Sequence, residues 1–557
     1  MTKRRGYITF SVIGFFFFFF CISCKELAEK GNVIWNGSWI FKLLTISLLG
    51  GCMLGSLLFK ALSCFEERHV VKENKNRLPK AGILFGLSWL CIMLCWLPGF
   101  LAYYPGICAY DFTIQLEQIK DIHYNEHHPL FHTLLIKMFL DFGNFIGSPT
   151  NALALFALLQ MCLLAAVMAF GIAMMKKRDV KDPLLVVLIL IACIFPFNWY
   201  MSITFTKDTI YTLFMMFQLF MLCHLVMKKD NYFRLEPADI AYLVASVFMI
   251  IFRNNGRYAM LVLAGVLFLT TIFGKKARKL WAKIFGETVL AIVLGSILLS
   301  AVSSWTGAVQ GDRREMLSMP IQQLARSMIY HGGVGVLAED DNTMSEADKA
   351  LINEFILYEG YKNYRADISD PVKSCTNTYA LVHNVPRFVS TYVRLLVQYP
   401  DEYINAVIAL NAGFLSPFDK THAYINVSDE ITGLGYIQTK WISQELDPYG
   451  LERDSKWEWL RDKLEYFANN NMHLKLPVVK YLMVPGTYLW LYLGLAAWLF
   501  VHKKYKQLIP LAFILGYYIT LFLGPTVQLR YIYPVMVILP YLIVWFVRDE
   551  KRKVTPS

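Results

Sequence analysis

The sequence predicts an all-α polytopic membrane protein of about twelve transmembrane helices with a mostly helical extracytoplasmic domain. Three observations carry that reading. The 557 residues are 56% hydrophobic, 15% aromatic and only 17% charged, and the mean hydropathy of +0.42 is too high for a soluble chain of this size. The formal net charge of +12 is gathered in short clusters between apolar runs, MTKRR, KENKNR, KKRDVK, KKARK, HKKYK and RDEKRK, which is the pattern of cytoplasmic loops and excludes a nucleic-acid groove. Most of the eleven Cys lie inside apolar runs, which argues against a disulfide framework or a zinc site.

Taken in order, the apolar runs of spanning length fall near 7–24, 40–62, 81–102, 151–175, 182–198, 207–227, 238–252, 258–274, 281–303, 480–501, 507–523 and 531–548. The first follows a basic start, and a cleaved signal peptide is the alternative reading of MTKRRGYITFSVIGFFFFFFCISC, although Cys24 after Ile22 and Ser23 makes a poor lipobox. With Lys3, Arg4 and Arg5 placed in the cytoplasm, alternation puts the basic loops at 66–80, 176–181, 228–234, 275–279, 502–506 and 549–553 on the same side, as the positive-inside rule requires. Both termini are then cytoplasmic. The outward loops are 103–150, 199–206, 253–257, 304–479 and 524–530.

Three modules follow: an N-terminal transmembrane module over 1–303, an extracytoplasmic domain over 304–479, and C-terminal transmembrane helices with a basic tail over 480–557. The middle module holds about half of the acidic residues, no run that could span, and turn signals at Asp370-Pro371, Tyr399-Pro400 and Ser416-Pro417-Phe418-Asp419. SEADKALINEFILYEGY and WEWLRDKLEYFANN read as helices, and EYINAVIALNAGFL as a segment lying on the membrane or against the spans.

Every unusual polar cluster falls in the outward set. In 103–150, Pro105-Gly106 ends a span and a helix from Asp111 to about Lys120 places Asp111, Gln115 and Gln118 on one face, beside Tyr110. Such a face suits a sugar and a carboxylate, and shielding outside a membrane raises a carboxyl pKa toward that of a general base. The competing reading is a helix N-terminal Asp favoured by the dipole. His127, His128 and His132 flank Pro129; before a proline the backbone is extended, which lets one of the pair approach His132. Imidazoles suit zinc or manganese, so a divalent cation stays open as a cofactor, with phosphate or sugar binding the alternative. Lys207-Asp208, Arg253 with Asn254 and Asn255, and Gln528 with Arg530 also sit at outer span ends, where guanidinium groups suit a lipid phosphate.

Tyr110-Asp111 followed by HHPLFHTLLIKMFLDFGNFIGSP resembles the first outer loop of GT-C membrane glycosyltransferases, whose K-P-P-L-x-Y-W-L element occurs in protein mannosyltransferases and aminoarabinose transferases. The chain departs from them with a single Asp and with His-His-Pro for Lys-Pro-Pro. REMLSMPIQQLAR, Asp370-Pro371-Val372-Lys373, YPDEYINAVIALNAGFLSP and RYIYP resemble features of a bacterial branch of multi-pass proteins. The resemblance implies inverting sugar transfer at the outer face from a polyprenyl-phosphate-sugar donor to a glycopolymer, glycolipid or protein acceptor. Asp111 would be the general base, and Lys207, Arg253 or Arg530 would stabilise the departing phosphate. A polymer ligase or a lipid-linked glycan flippase would use similar residues. The polar residues gathered at one face argue against the transporter.

Overall fold

The computed structural model describes residues 2–69, 78–229, 233–274, 276–337, 341–419, 444 and 446–547. The clusters KENKNR and RDEKRK lie outside the described residues. The chain is an all-α polytopic membrane protein. Among the described residues nine helices are long and apolar enough to cross a bilayer: α1 (Thr2–Lys30), α2 (Gly37–His69), α3 (Ala81–Ala102), α6 (Pro149–Lys177), α9 (Lys207–Val226), α11 (Asn254–Phe273), α12 (Arg278–Thr306), the stretch Tyr505–Phe522, in which the 3-10 turn Tyr505–Gln507 runs into the helix Leu508–Phe522, and the helix Leu529–Val547. Between these come the shorter α4 (Tyr110–Lys120), α5 (Leu130–Ile146), α7 (Asp182–Ile194), α8 (Pro196–Ser202) and α10 (Pro237–Phe252).

Three of the twelve expected spans therefore differ. Run 182–198 folds as α7 and α8, bent by 57°, because Phe195 is held extended ahead of Pro196; counted as one span, the pair makes ten. Runs 238–252 and 480–501 give α10 and the helix Pro485–Val501, of 16 and 17 residues. At 1.5 Å per residue these reach about 24–26 Å against a hydrocarbon core of about 30 Å. Each starts at a proline, which is favoured at the first helical position and stops the helix extending backwards.

α1 and α2 form an antiparallel hairpin in which Gly14, Gly51 and Gly55 let the two backbones touch, the close approach that small residues allow where no hydrophobic drive separates helix from lipid. All eleven cysteines are free thiols, including Cys21 and Cys24, whose C-x-x-C spacing within α1 makes no bond. The most enclosed spans are α9 and Leu529–Val547, and the polar cluster sits at their N-terminal ends.

Outside the spans, α13 (Ser318–His331), α14 (Glu346–Phe355), α15 (Asp370–Lys373), α16 (Thr378–His383) and α17 (Val385–Gln398) surround a separate core that includes Ile321, Leu324, Ile352, Phe355, Val372 and Leu395. SEADKALINEFILYEGY is helical only to Phe355. Beyond it Ile356 bridges to Thr376, and Tyr358 and Glu359 turn into the left-handed region at φ 54° and 52°. The helix Glu458–Asn469 follows its predicted segment. EYINAVIALNAGFL becomes α18 (Pro400–Leu410), packed on α1, and α19 (Ala412–Leu415), packed on Pro485–Val501.

A cluster at three helix N-termini

A two-residue parallel ladder assembles the cluster. Ile107 pairs with Thr204 and Cys108 with Phe205, so the chain enters α4 and α9 side by side. Gly106 permits the approach, since its φ of +152° and the Phe205 ring and Ile203 carbonyl against it leave no room for a Cβ. The same crossing brings Asp111, in the first turn of α4, to Lys207 and Asp208, in the first turn of α9. Arg530, the second residue of Leu529–Val547, completes the group.

Asp111 lies between two cations. Arg530 donates from Nη1 to Asp111 Oδ2 at 2.9 Å and from Nη2 to Oδ1 at 3.4 Å, and Lys207 Nζ lies 2.9 Å from Oδ2. Arg530 Nε also donates to Gln528 Oε1 at 2.7 Å and approaches Asp208 Oδ2 at 3.9 Å. Asp208 pairs with Arg253 and accepts from Thr206, which caps α9. Both guanidinium groups lie over Tyr531, at 4.8 Å for Arg253 and 5.1 Å for Arg530. Asp111, Asp208, Arg253, Gln528 and Arg530 are all buried. Three cations thus face two carboxylates, leaving one positive charge in excess in a water-poor place. Aspartates at helix N-termini are favoured by the dipole, whereas Lys207 and Arg530 are placed against it.

Burial alone would push the Asp111 carboxyl up, but the Arg530 and Lys207 charges outweigh it and hold the group well below the usual carboxylate range. This reverses the upward shift expected from shielding, because the sequence could not reveal that Arg530 and Lys207 touch its two oxygens.

Two histidines beside this cluster hold opposite tautomers. Lys207 Nζ is 3.2 Å from His128 Nδ1. An ammonium only donates, so Nδ1 is the acceptor and the proton sits on Nε2. His132 Nδ1 is 2.9 Å from Gln115 Oε1, while Gln115 Nε2 donates to Thr133 Oγ1 at 2.8 Å; Nδ1 therefore donates and Nε2 keeps its lone pair. Both Nε2 atoms are buried without a partner. Burial holds His128 well below the imidazole range, with Lys207 adding to the effect, and pushes His132 down to about 3. Burial likewise lowers His127, whose ring meets His128 edge-on.

Other expected site residues are placed differently. Gln115 and Gln118 are buried but spend their amides locally, Gln118 donating to Asn125 Oδ1 at 3.2 Å, so they fix the histidine loop. Asn255 donates to Thr520 Oγ1 at 2.9 Å, tying α11 to Leu508–Phe522. Asn254 is exposed, and Tyr110 is 38% exposed at the start of α4. The sites at which a divalent cation would meet Asp111 are occupied by Lys207 and Arg530. Among the described residues the His and carboxylate group close enough for a metal is His331, Asp401 and Glu402, where Glu402 already accepts from Arg326 and Asn32.

Sequence reasoning missed Thr206, Tyr531 and the rim beside His127, where Lys373 pairs with Glu315 and Asp370 at 2.6 Å each. Thr206 before Lys207-Asp208 was a readable cap signal. The segment leading into α15 is also tied to the turn before Leu529–Val547, since Thr526 donates to the Asp367 carbonyl at 2.9 Å and Ser369 to that of Pro525 at 2.9 Å.

Over residues 119–557 the chain matches a family described as "Family of unknown function (DUF6020)", and it belongs to that family. No curated protein and no solved structure matches it.

Proposed function

We propose that this DUF6020 protein is a GT-C-type integral membrane glycosyltransferase, moving a sugar from a polyprenyl-phosphate-linked donor to an envelope glycopolymer, glycolipid or protein on the outer face. The observation that carries the reading is the excess of one cation around Asp111, supplied by the partly buried Lys207 beside the buried Arg530 and Arg253. A buried charge without a counter-charge is costly, and a phosphate is the ligand that guanidinium and ammonium groups match best. Three helix N-termini add to the same field.

The donor's phosphate would bind Lys207 and Arg530 and accept from His128 Nε2–H. As it draws those cations, Asp111 loses the charges that depress its pKa and becomes a stronger base. Asp111 then takes the proton of an acceptor hydroxyl while that oxygen bonds to the anomeric carbon. The bond from that carbon to the phosphate oxygen breaks, and polyprenyl phosphate leaves with the electron pair, stabilised by Lys207 and Arg530. Attack opposite the leaving group inverts the anomeric centre.

The test is Asp111→Asn in the full chain, with sugar incorporation into envelope material followed by mass spectrometry. Incorporation per inserted molecule is expected to disappear, and the loss of the carboxylate that pairs with Arg530 and Lys207 should also lower stability. Wild-type incorporation in that variant would overturn the base assignment. A missing whole polymer in a gene deletion, instead of a missing sugar mass, would replace this reading by the ligase.

A further inference from the structure

Helix α17 has two apolar faces, and only one is used. Phe388, Thr391 and Leu395 are buried in the domain core. Val385, Val389, Val393 and Val397, spaced by four, form a second stripe, joined by Leu396 and exposed by 50%, 51%, 49%, 77% and 37%. Arg387, Ser390, Arg394 and Gln398 occupy the remaining edge. Single exposed valines need no explanation. Five apolar side chains on one stripe, edged by two arginines, mark a contact surface.

We propose that α17 lies in the membrane–water interface with this valine stripe against the acyl chains, anchoring the 304–479 module to the bilayer. Continuity with the membrane-spanning part identifies the partner as lipid. Only Tyr399 separates α17 from α18, which packs on α1. Pro400 and Ile404 line one depression with Ile34 and Trp35. Those two belong to the short connection between α1 and α2, and a short connection between two spanning helices lies at a membrane surface. Trp35 and Trp39 are the aromatic type enriched at that level. Ile404 and Val407 of α18 extend the apolar surface, exposed by 44% and 38%. Arg387 and Arg394 keep partners on the water side, Glu354 at 2.6 Å and Asp348 at 2.9 Å. An apolar face edged by arginine is the composition of an in-plane helix.

The experiment places p-benzoylphenylalanine at Val393 or Val397 of the full chain, reconstituted in phosphatidylethanolamine and phosphatidylglycerol vesicles. After irradiation, adducts are read by mass spectrometry. Leu48, 57% exposed on α2, is the lipid-facing reference, and Tyr358, 93% exposed in the same outer module, is the water-facing one. Phospholipid adducts are expected at both α17 positions as at Leu48, and none at Tyr358. Cross-linking of α17 to a second copy of the chain would overturn the proposal, as would absence of lipid adducts at both α17 positions when Leu48 yields them. The outcome is independent of any sugar-transfer activity.

Discussion

Arg326 and Arg530 are both buried and both bonded to a carboxylate, Glu402 at 2.7 Å and Asp111 at 2.9 Å; the two centres differ in what else surrounds the pair. Around Arg326 the donors are used up. Nη1 donates to Tyr364 Oη at 3.0 Å, and Nη2 to the Gly31 carbonyl at 2.9 Å and to Asn32 Oδ1 at 3.0 Å. Glu402 Oε1 accepts from Asn32 Nδ2 at 3.1 Å and lies 3.7 Å from the half-buried His331 Nε2, so the one fully buried arginine meets one fully buried carboxylate. This closed network ties α13 and α18 to the end of α1. Around Arg530 a cation is in excess and two imidazole nitrogens lack partners. A closed network stabilises and an open one is poised for a ligand, so burial of an arginine alone distinguishes nothing.

The largest expected effect is at the closed centre. Glu402→Gln leaves Arg326 buried without its counter-charge, which costs about 3–5 kcal/mol and should lower the thermal midpoint of the detergent-solubilised protein sharply. An unchanged midpoint would show that the network anchors nothing. Lys207→Met acts at the open centre in the opposite sense. It removes the excess charge, so the midpoint should hold or rise, while loss of a charge-assisted bond to phosphate weakens donor binding by about 1.5–3 kcal/mol, roughly ten- to 150-fold. If Lys207→Met destabilised as strongly as Glu402→Gln, the contrast between the centres would collapse.

The contrast also explains what was legible in the sequence. Apolar runs revealed the helices because lipid demands an unbroken stretch for every span, and the exceptions at 182–198, 238–252 and 480–501 each contain or begin at a proline. Asp111, Lys207, Arg253 and Arg530 stood out because ionisable groups at span ends are costly. Arg326 and Glu402 did not, since in a segment rich in charges nothing local marks which pair will be buried. The partner of Asp111 was equally hidden: Arg530 is 419 residues away, and the two-residue ladder that aligns α4 with α9 is too short to leave a strand pattern. That missing contact is why the pKa of Asp111 was expected to shift upward.

Acid should separate the two regions further. The open centre holds His128 and His132 neutral through burial, with folded pKa values below the ordinary 6.5. The unfolded chain then binds more protons below about pH 6.5, so stability from these groups is lost as pH falls from there toward about 3 for His132. Asp111 adds acid lability only below the ordinary carboxylate range, because its own pKa is depressed. In the closed centre His331 is raised by the nearby Glu402 carboxylate, 3.7 Å away, and by its bond to Asp341, so its contribution is complete below about 6.5 and is lost as pH rises through the folded value. Hydrogen exchange at pH 7.5 and pH 5.5, corrected for intrinsic rates, should show 123–133 loosening in acid and 326–332 tightening. Parallel changes in both segments would refute the assignment of opposite histidine states.

The smallest effect sharpens the boundary of the open centre. Asn254 and Arg253 are neighbours in sequence, yet the chain reverses its surroundings between them. Arg253 is extended at φ −160°, ψ 127° ahead of α11, which turns its guanidinium inward to Asp208, while Asn254 begins the helix exposed. Asn254→Ala should therefore change stability by less than about 0.5 kcal/mol and leave donor binding as in the wild type. Arg253→Ala, which strands a fully buried Asp208, should weaken both. Should Asn254→Ala impair donor binding, the ligand would have to extend past the cations around Asp111 onto the surface of α11, and the binding ascribed to Lys207 and Arg530 would be shared with that face.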